Sequence, residues 1–249
     1  MPQTPALFWA GAFLYTVDML YFAHRGLSAR FVQNTAAAFR AARAAGATCY
    51  ELDVHLLKDG ALAVHHDYSL SPAAGGEVSL AELSSADLKK YPLENPFSSA
   101  RATVPLLAEI LPLVRPQLVR LNIELKNDDN RYPGVERALL DLLQQQAPDL
   151  LAKTLFSSFD YETLVRLRNL DKNARIGLLT RKFDVSQALA LGAESVHLNY
   201  TRFTREVAEI CHANQLKVYL YTVNDFGLAA QVEASGADGI FTDAVDQFL

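Results

Sequence analysis

Three times in this chain a helical stretch runs into Gly-Ala and straight on into an apolar strand. Ala45-Gly46-Ala47 precedes CYELDV, Leu191-Gly192-Ala193 precedes SVHLNY, and Ser235-Gly236-Ala237 precedes GIFTD. Glycine after a helix supplies the left-handed cap, and the strand then begins at once. Repeated along a sequence, that junction is the grammar of an alternating α/β protein with a parallel sheet. The helical patterns agree with it. Residues 34–45 are Ala-rich behind an Asn or Thr cap, and 161–170, 203–213 and 225–234 read the same way, with Asp160 and Asn224 or Asp225 as caps.

Strand patterns fall at 19–23, 49–54, 61–65, 120–125, 154–157, 175–179, 195–198, 218–222 and 239–242. A parallel crossover needs a dozen or more residues. The stretch 61–65 follows its predecessor across a short link containing Asp59-Gly60, which is a hairpin signal. It is therefore expected to be an antiparallel return. Eight strands remain, the number that closes a (β/α)8 TIM barrel, and 249 residues is the usual length of that fold. The turn-rich stretch 68–103, with one short helical piece at 80–90, reads as a small insertion after the second strand, and 105–114 as the helix that follows it. No other stretch resembles a linker, so residues 1–249 are expected to form a single barrel domain.

Composition removes other classes. Half of the residues are hydrophobic and 20% are charged, which is too apolar for a disordered chain. The net charge of −5 and a pI near 5.7 argue against a nucleic-acid partner. Two cysteines, Cys49 and Cys211, both in apolar stretches, build neither a disulfide framework nor a zinc site. Residues 6–17 (ALFWAGAFLYTV) are too short for a membrane span, and no basic residue precedes them as a secretory signal would require. A cytoplasmic location is expected. The segment either covers one end of the barrel or contacts a membrane surface.

In such a barrel the chemistry lies at the C-terminal ends of the strands. Polar residues collect there: His24-Arg25 after the first strand, Glu51 and Asp53 on the second, His65-His66-Asp67 after the return, Glu124 and Lys126 on the third. Residues two apart in a strand share a face, so Glu51 pairs with Asp53 in direction and Glu124 with Lys126. Inward carboxylates are costly unless paired or bound to a cation. They either form a structural network with Arg25 and Lys126 or hold a divalent metal. The coincidence of Glu51, Asp53 and Glu124 with Arg25, Lys126 and histidines at strand ends favours the metal, and an all-oxygen set suits Mg²⁺ or Ca²⁺.

The sequence AHRG, then QNT-x3-AF, then GA-x3-ELDV-x3-KDG-x4-HD resembles the glycerophosphodiester phosphodiesterase family. The likeness continues in family order through VPLLAEIL, ELK, SSF, YTVN and GADGIFTD, across roughly residues 20–243. The resemblance implies a (β/α)8 barrel with an insertion after the second strand. It implies divalent-metal-dependent hydrolysis of glycerophosphodiesters to an alcohol and sn-glycerol 3-phosphate. His24 and His66 would be the acid/base pair, Glu51, Asp53 and Glu124 the metal ligands, and Arg25 the phosphate holder with Lys126 nearby. Tyr221 stands where the family commonly has Trp, and with Phe159 it would line the substrate pocket. Of the other histidines, His55 reads as a hydrogen-bonding wall residue, and His197 and His212 as structural.

Two departures stand out. Val32-Gln33-Asn34-Thr35 replaces the usual Pro-Glu-Asn-Thr, and Leu70-Ser71-Pro72-Ala73-Ala74 lacks the basic residue the family often carries after HD. Two other readings compete with the first. One is a lysophospholipase D or sphingomyelinase-D-like lipid phosphodiesterase, favoured by the apolar 6–17 but not by Glu124 in ELK. The other is a non-catalytic barrel that binds a phosphate ligand, against which the complete set of histidines and carboxylates argues.

Overall fold

The structure is a computed structural model that describes residues 19–71, 75–99, 101–128 and 131–249. The apolar segment 6–17 lies outside the described residues, as do Pro72, Ala73 and Ala74. Among the described residues eleven strands occur in chain order: β1 Leu20–His24, β2 Cys49–Leu56, β3 Leu62–Val64, β4 Ser69–Leu70, β5 Val78–Ser79, β6 Arg120–Leu125, β7 Thr154–Ser158, β8 Arg175–Thr180, β9 Ser195–Asn199, β10 Lys217–Tyr221 and β11 Gly239–Thr242. The α-helices are α1 Ala36–Ala44, α2 Leu107–Val114, α3 Val135–Gln146, α4 Pro148–Leu151, α5 Tyr161–Leu170, α6 Val185–Leu191, α7 Arg205–Ala213 and α8 Phe226–Ala234.

Eight strands close a parallel barrel in the order β1-β2-β6-β7-β8-β9-β10-β11, with β11 returning to β1. Closure fixes the register Phe22↔Phe241 and Ala23↔Thr242 on one side of β1, and His24↔Glu51 on the other. β3 is antiparallel to the far half of β2, pairing Val54 with Val64 and Leu56 with Leu62, as the Asp59-Gly60 turn predicts. Helix caps follow from sequence. Thr35, Asp160, Thr204 and Asp225 accept from first-turn amides of α1, α5, α7 and α8. Because Thr204 caps α7, that helix begins at Arg205 rather than at 203. Gly46, Gly192 and Gly236 all carry the positive φ that the helix-to-strand junctions demand.

The insertion differs from expectation in detail. The helical piece at 80–90 is two separate 3₁₀ turns, Leu80–Glu82 and Leu88–Lys90, split by Ser84, which with Asp87 forms a side-chain-closed turn. Such local polar bonds compete with a continuous helix. A small β4–β5 hairpin precedes them, and a satellite core of Leu57, Leu70, Leu80, Leu83, Leu88 and Val104 packs the insertion onto the barrel.

Inside the barrel the inward positions form layers. Phe22, Cys49, Leu155, Tyr219 and Phe241 fill the middle, all of them buried. His197 joins that layer, its ring 5.1 Å from Phe241, and its Nε2 bonds Ser195 Oγ at 2.9 Å. Burial holds its pKa down at about 3, so it is a neutral core residue. Gly177 makes room for it: a Cβ there would sit 2.5 Å from His197 Nε2. This apolar floor supports a polar layer one step nearer the strand ends, where the next inward residues are His24, Glu51, Glu124 and Tyr221.

Candidate active site

The strand ends and the loops after them bring nearly every candidate into one pocket. Its walls include His24, Arg25, Glu51, His66, Glu124 and Lys126, with Phe159 and Tyr221 opposite. The cavity has a volume of about 160 Å³. Phe159 and Tyr221 meet edge to face, 6.1 Å between ring centroids, and form its apolar side.

The carboxylates are the centre of the site. Ligand atoms of Glu51, Asp53 and Glu124 lie within 4.8 Å of one another, and all three residues are buried. β2 supplies the first two on one face, and the register Asp53↔Glu124 sets the third beside them on β6. Two cations answer them. Lys126 Nζ lies 3.1 Å from Asp53 Oδ1 and 2.7 Å from Glu124 Oε1, and Arg25 Nε lies 3.1 Å from Asp53 Oδ2. Asn34 Nδ2 donates to Asp53 Oδ2 at 2.8 Å.

Asp53 therefore wins the local contest. Burial alone would raise its pKa, but Lys126 and Arg25 outweigh burial and hold it well below the usual carboxylate range. The other two acids lose. Burial and the Asp53 charge push Glu51 well above its ordinary value, and the same two causes push Glu124 up to about 7. Lys126 is raised despite burial, because Asp53 and Glu124 both favour its charged form. With all three ionised, the carboxylates outnumber the two cations by one charge in a buried space, which is why Glu51 and Glu124 are pushed toward their neutral forms. An additional hard cation among these oxygen donors matches that excess of negative charge.

Both histidines line the pocket and are held at Nδ1. His24 Nδ1 lies 2.6 Å from Asp243 Oδ1, and its Nε2 lies 4.0 Å from Glu51. His66 Nδ1 lies 2.7 Å from Asp67 Oδ1. Ionised carboxylates only accept, so each Nδ1 carries a proton and each neutral ring has an acceptor Nε2. Burial lowers the pKa of both rings, and the Asp243 and Asp67 bonds pull the other way. Asp243 itself is held down at about 2; burial opposes this, but the His24 bond dominates.

The loop after β1 is tightly constrained. Arg25 adopts φ +58°, and its amide donates to both the Glu51 carbonyl oxygen and Glu51 Oε2. Gly26 follows at φ +85°, where a Cβ would lie 2.6 Å from the Ala38 backbone. Left-handed backbone at a non-glycine is costly and collects at functional sites. Here it aims the Arg25 side chain inward.

Four partners escaped the sequence reading. Asp243 and Asp67 orient the histidines, Asn34 bonds Asp53, and Gln33 Oε1 accepts from Arg25 Nη1 at 2.6 Å. Gln33 stands where the family usually has Glu, and its amide oxygen still holds the guanidinium. His55 is a wall residue, not a ligand. Its Nε2 donates to the His66 carbonyl at 3.3 Å while Tyr132 Oη donates to its Nδ1 at 2.9 Å, and burial drives its pKa down to about 3. His65 is buried and is not among the pocket-lining residues, and His212 pairs with Asp238 at 2.9 Å.

A family model described as "Glycerophosphoryl diester phosphodiesterase family" matches residues 24–247. A glycerophosphodiester phosphodiesterase of Bacillus altitudinis is 34% identical over 235 residues, covering 91% of this chain and 95% of that protein. One of Caldanaerobacter subterraneus is 32% identical, with 90% and 93% covered. Among solved structures, an Oleispira antarctica phosphodiesterase in complex with the product sn-glycerol-3-phosphate superposes with a TM-score of 0.82. It is 26% identical, with 92% of this chain and 94% of that one covered. Among the described residues no helix is long and apolar enough to cross a membrane.

Proposed function

The chain belongs to the glycerophosphoryl diester phosphodiesterase family, and on that premise we propose that it hydrolyses glycerophosphodiesters to an alcohol and sn-glycerol 3-phosphate by histidine acid/base catalysis. The observation that carries the reading is one pocket lined by two aspartate-held histidines and by Glu51 and Glu124, with Asp53 buried beside those two carboxylates.

Glu51, Asp53 and Glu124 would hold a divalent cation, Mg²⁺ or Ca²⁺. The donor set fits: all oxygen, buried, close together and short of positive charge. Such an ion, when bound, neutralises a phosphate oxygen and so lowers the repulsion that a diester anion presents to a nucleophile. Arg25 and Lys126 hold the phosphate by charge, and Arg25 adds a planar fork fixed by Gln33 and Asp53. Phe159 and Tyr221 pack against the glycerol carbons.

The histidines divide the proton transfers. One Nε2 takes a proton from the nucleophile, which is water or the glycerol 2-hydroxyl, and the other delivers a proton to the leaving alkoxide. A wider cleft touches His24 but not His66. This supports His24 as the group facing the leaving alcohol and His66 as the base. Asp243 favours that role, since its charge stabilises a protonated His24 ring.

The test is incubation with glycerophosphocholine and with lysophosphatidylcholine, each with Mg²⁺, Ca²⁺ or EDTA, measuring released choline. Metal-dependent turnover of glycerophosphocholine is expected. Turnover of the lipid alone would support a lysophospholipase D instead. Binding of the diester without turnover would support a ligand-binding barrel.

A further inference from the structure

The pocket of about 160 Å³ is not the end of the space above the barrel. On the far side of His24 and Arg25 it meets an open cleft of about 740 Å³. Phe31, from the loop after β1, and Glu94, Pro96 and Phe97, from the insertion, form the outer part of that cleft. Phe31 is 37% exposed and Phe97 50%, so both rings offer faces that no core packing uses.

The charges along the cleft are unequal in freedom. Arg25 is engaged by Asp53 and Gln33, and Asp243 by His24, Ser28 and Asn224. Glu94 is exposed and forms no ion pair with any described residue. It is the cleft's one uncommitted charge among the described residues, and it is negative.

We propose that this cleft receives the leaving alcohol, and that Glu94 with Phe31 and Phe97 selects an alcohol carrying a quaternary ammonium group. The inference rests on the phosphodiesterase reading. A phosphate held at Arg25 has two ester arms, and among the described residues Arg25 lines both the small pocket and the wider cleft. The small pocket admits the glycerol arm; the larger, open cleft takes the variable one. Aromatic rings and a free carboxylate lining one cleft are groups that attract a weakly hydrated cation. A long acyl chain in the same cleft would strip water from Glu94 without compensation. A neutral polyol would gain nothing from the Phe31 and Phe97 rings beyond contact.

The experiment compares kcat/KM for glycerophosphocholine with kcat/KM for glycerophosphoglycerol, whose leaving alcohol is neutral. Wild type is expected to favour the choline diester. In Glu94→Gln and Phe97→Leu that preference ratio should fall about fivefold each, through KM for the choline diester. Phe97→Trp should raise it. Because Glu94 and Phe97 are exposed, the variants test recognition rather than folding. A ratio unchanged in both loss variants, with both diesters turned over, would overturn this inference and leave the phosphodiesterase reading intact. Failure of wild type to hydrolyse either diester would overturn both.

Discussion

Asp243→Asn isolates the role of His24 without removing a ring. Asp243 Oδ1 accepts from His24 Nδ1 at 2.6 Å and from Ser28 Oγ at 2.9 Å, while Oδ2 accepts from Asn224 Nδ2 at 2.7 Å. An asparagine cannot satisfy both sides. With its oxygen toward His24, its NH₂ meets the Asn224 NH₂, donor against donor. Turned over, it donates to His24 Nδ1 and forces the other tautomer, which puts a proton on Nε2 and fixes the ring as neutral. Either outcome loses a charge-assisted bond of about 1.5–3 kcal/mol, hence about 10- to 150-fold in kcat. The carboxylate also raises the His24 pKa against the effect of burial. Its loss should move the limb of the kcat–pH profile that reports His24 to lower pH. If His24 is the acid, that is the alkaline limb. The assay is a pH series of kcat on glycerophosphocholine, with circular dichroism to show an unchanged fold. A kcat within twofold of wild type and an unmoved profile would refute the claim that Asp243 orients His24.

His24→Ala and His66→Ala should each lower kcat at least about 100-fold with the fold intact by circular dichroism; full activity in either removes that residue's assigned role. Metal affinity should weaken as pH falls below about 7, because Glu124 must lose its proton to bind and its pKa is raised to about 7; calorimetric Mg²⁺ or Ca²⁺ titrations that are flat from about pH 6 to 8 would contradict this. The same raised value means that, without metal, stability supplied by neutral Glu124 is present below its ordinary 4.5 and is lost as pH rises through about 7. Gly177→Ala should destabilise by about 1–3 kcal/mol in urea, since the new Cβ would meet the His197 ring at 2.5 Å; an unchanged midpoint would mean the ring can shift.

The barrel was legible because its signals are local. Gly46, Gly192 and Gly236 mark helix ends, and Asp59-Gly60 separates the antiparallel β3 from the eight parallel strands. Strand parity alone put Glu51 with Asp53 and Glu124 with Lys126. The partner that orients His24 was not legible, because it comes from closure. Asp243 is 219 residues from His24 and reaches it only because β11 pairs with β1. GIFTD was visible as a strand, but nothing in it says which strand it will adjoin. The insertion defeated pattern reading for another reason. Ser84 and Asp87 close a turn on their own side chains, which broke the expected helix at 80–90 into two 3₁₀ turns. Gln33 read as a loss of the family's Glu, yet its side-chain oxygen still meets Arg25, a contact that residue type alone does not exclude.

The central claim is that one pocket breaks the bond between phosphorus and the non-glycerol alcohol. Phosphorus NMR of glycerophosphocholine incubated with the protein and Mg²⁺ or Ca²⁺ tests it most directly. The account predicts that the diester resonance is replaced by that of sn-glycerol 3-phosphate, directly or through a transient cyclic phosphate, and that EDTA or His24→Ala stops the change. A phosphocholine resonance, or a diester signal that persists with either metal, would contradict it.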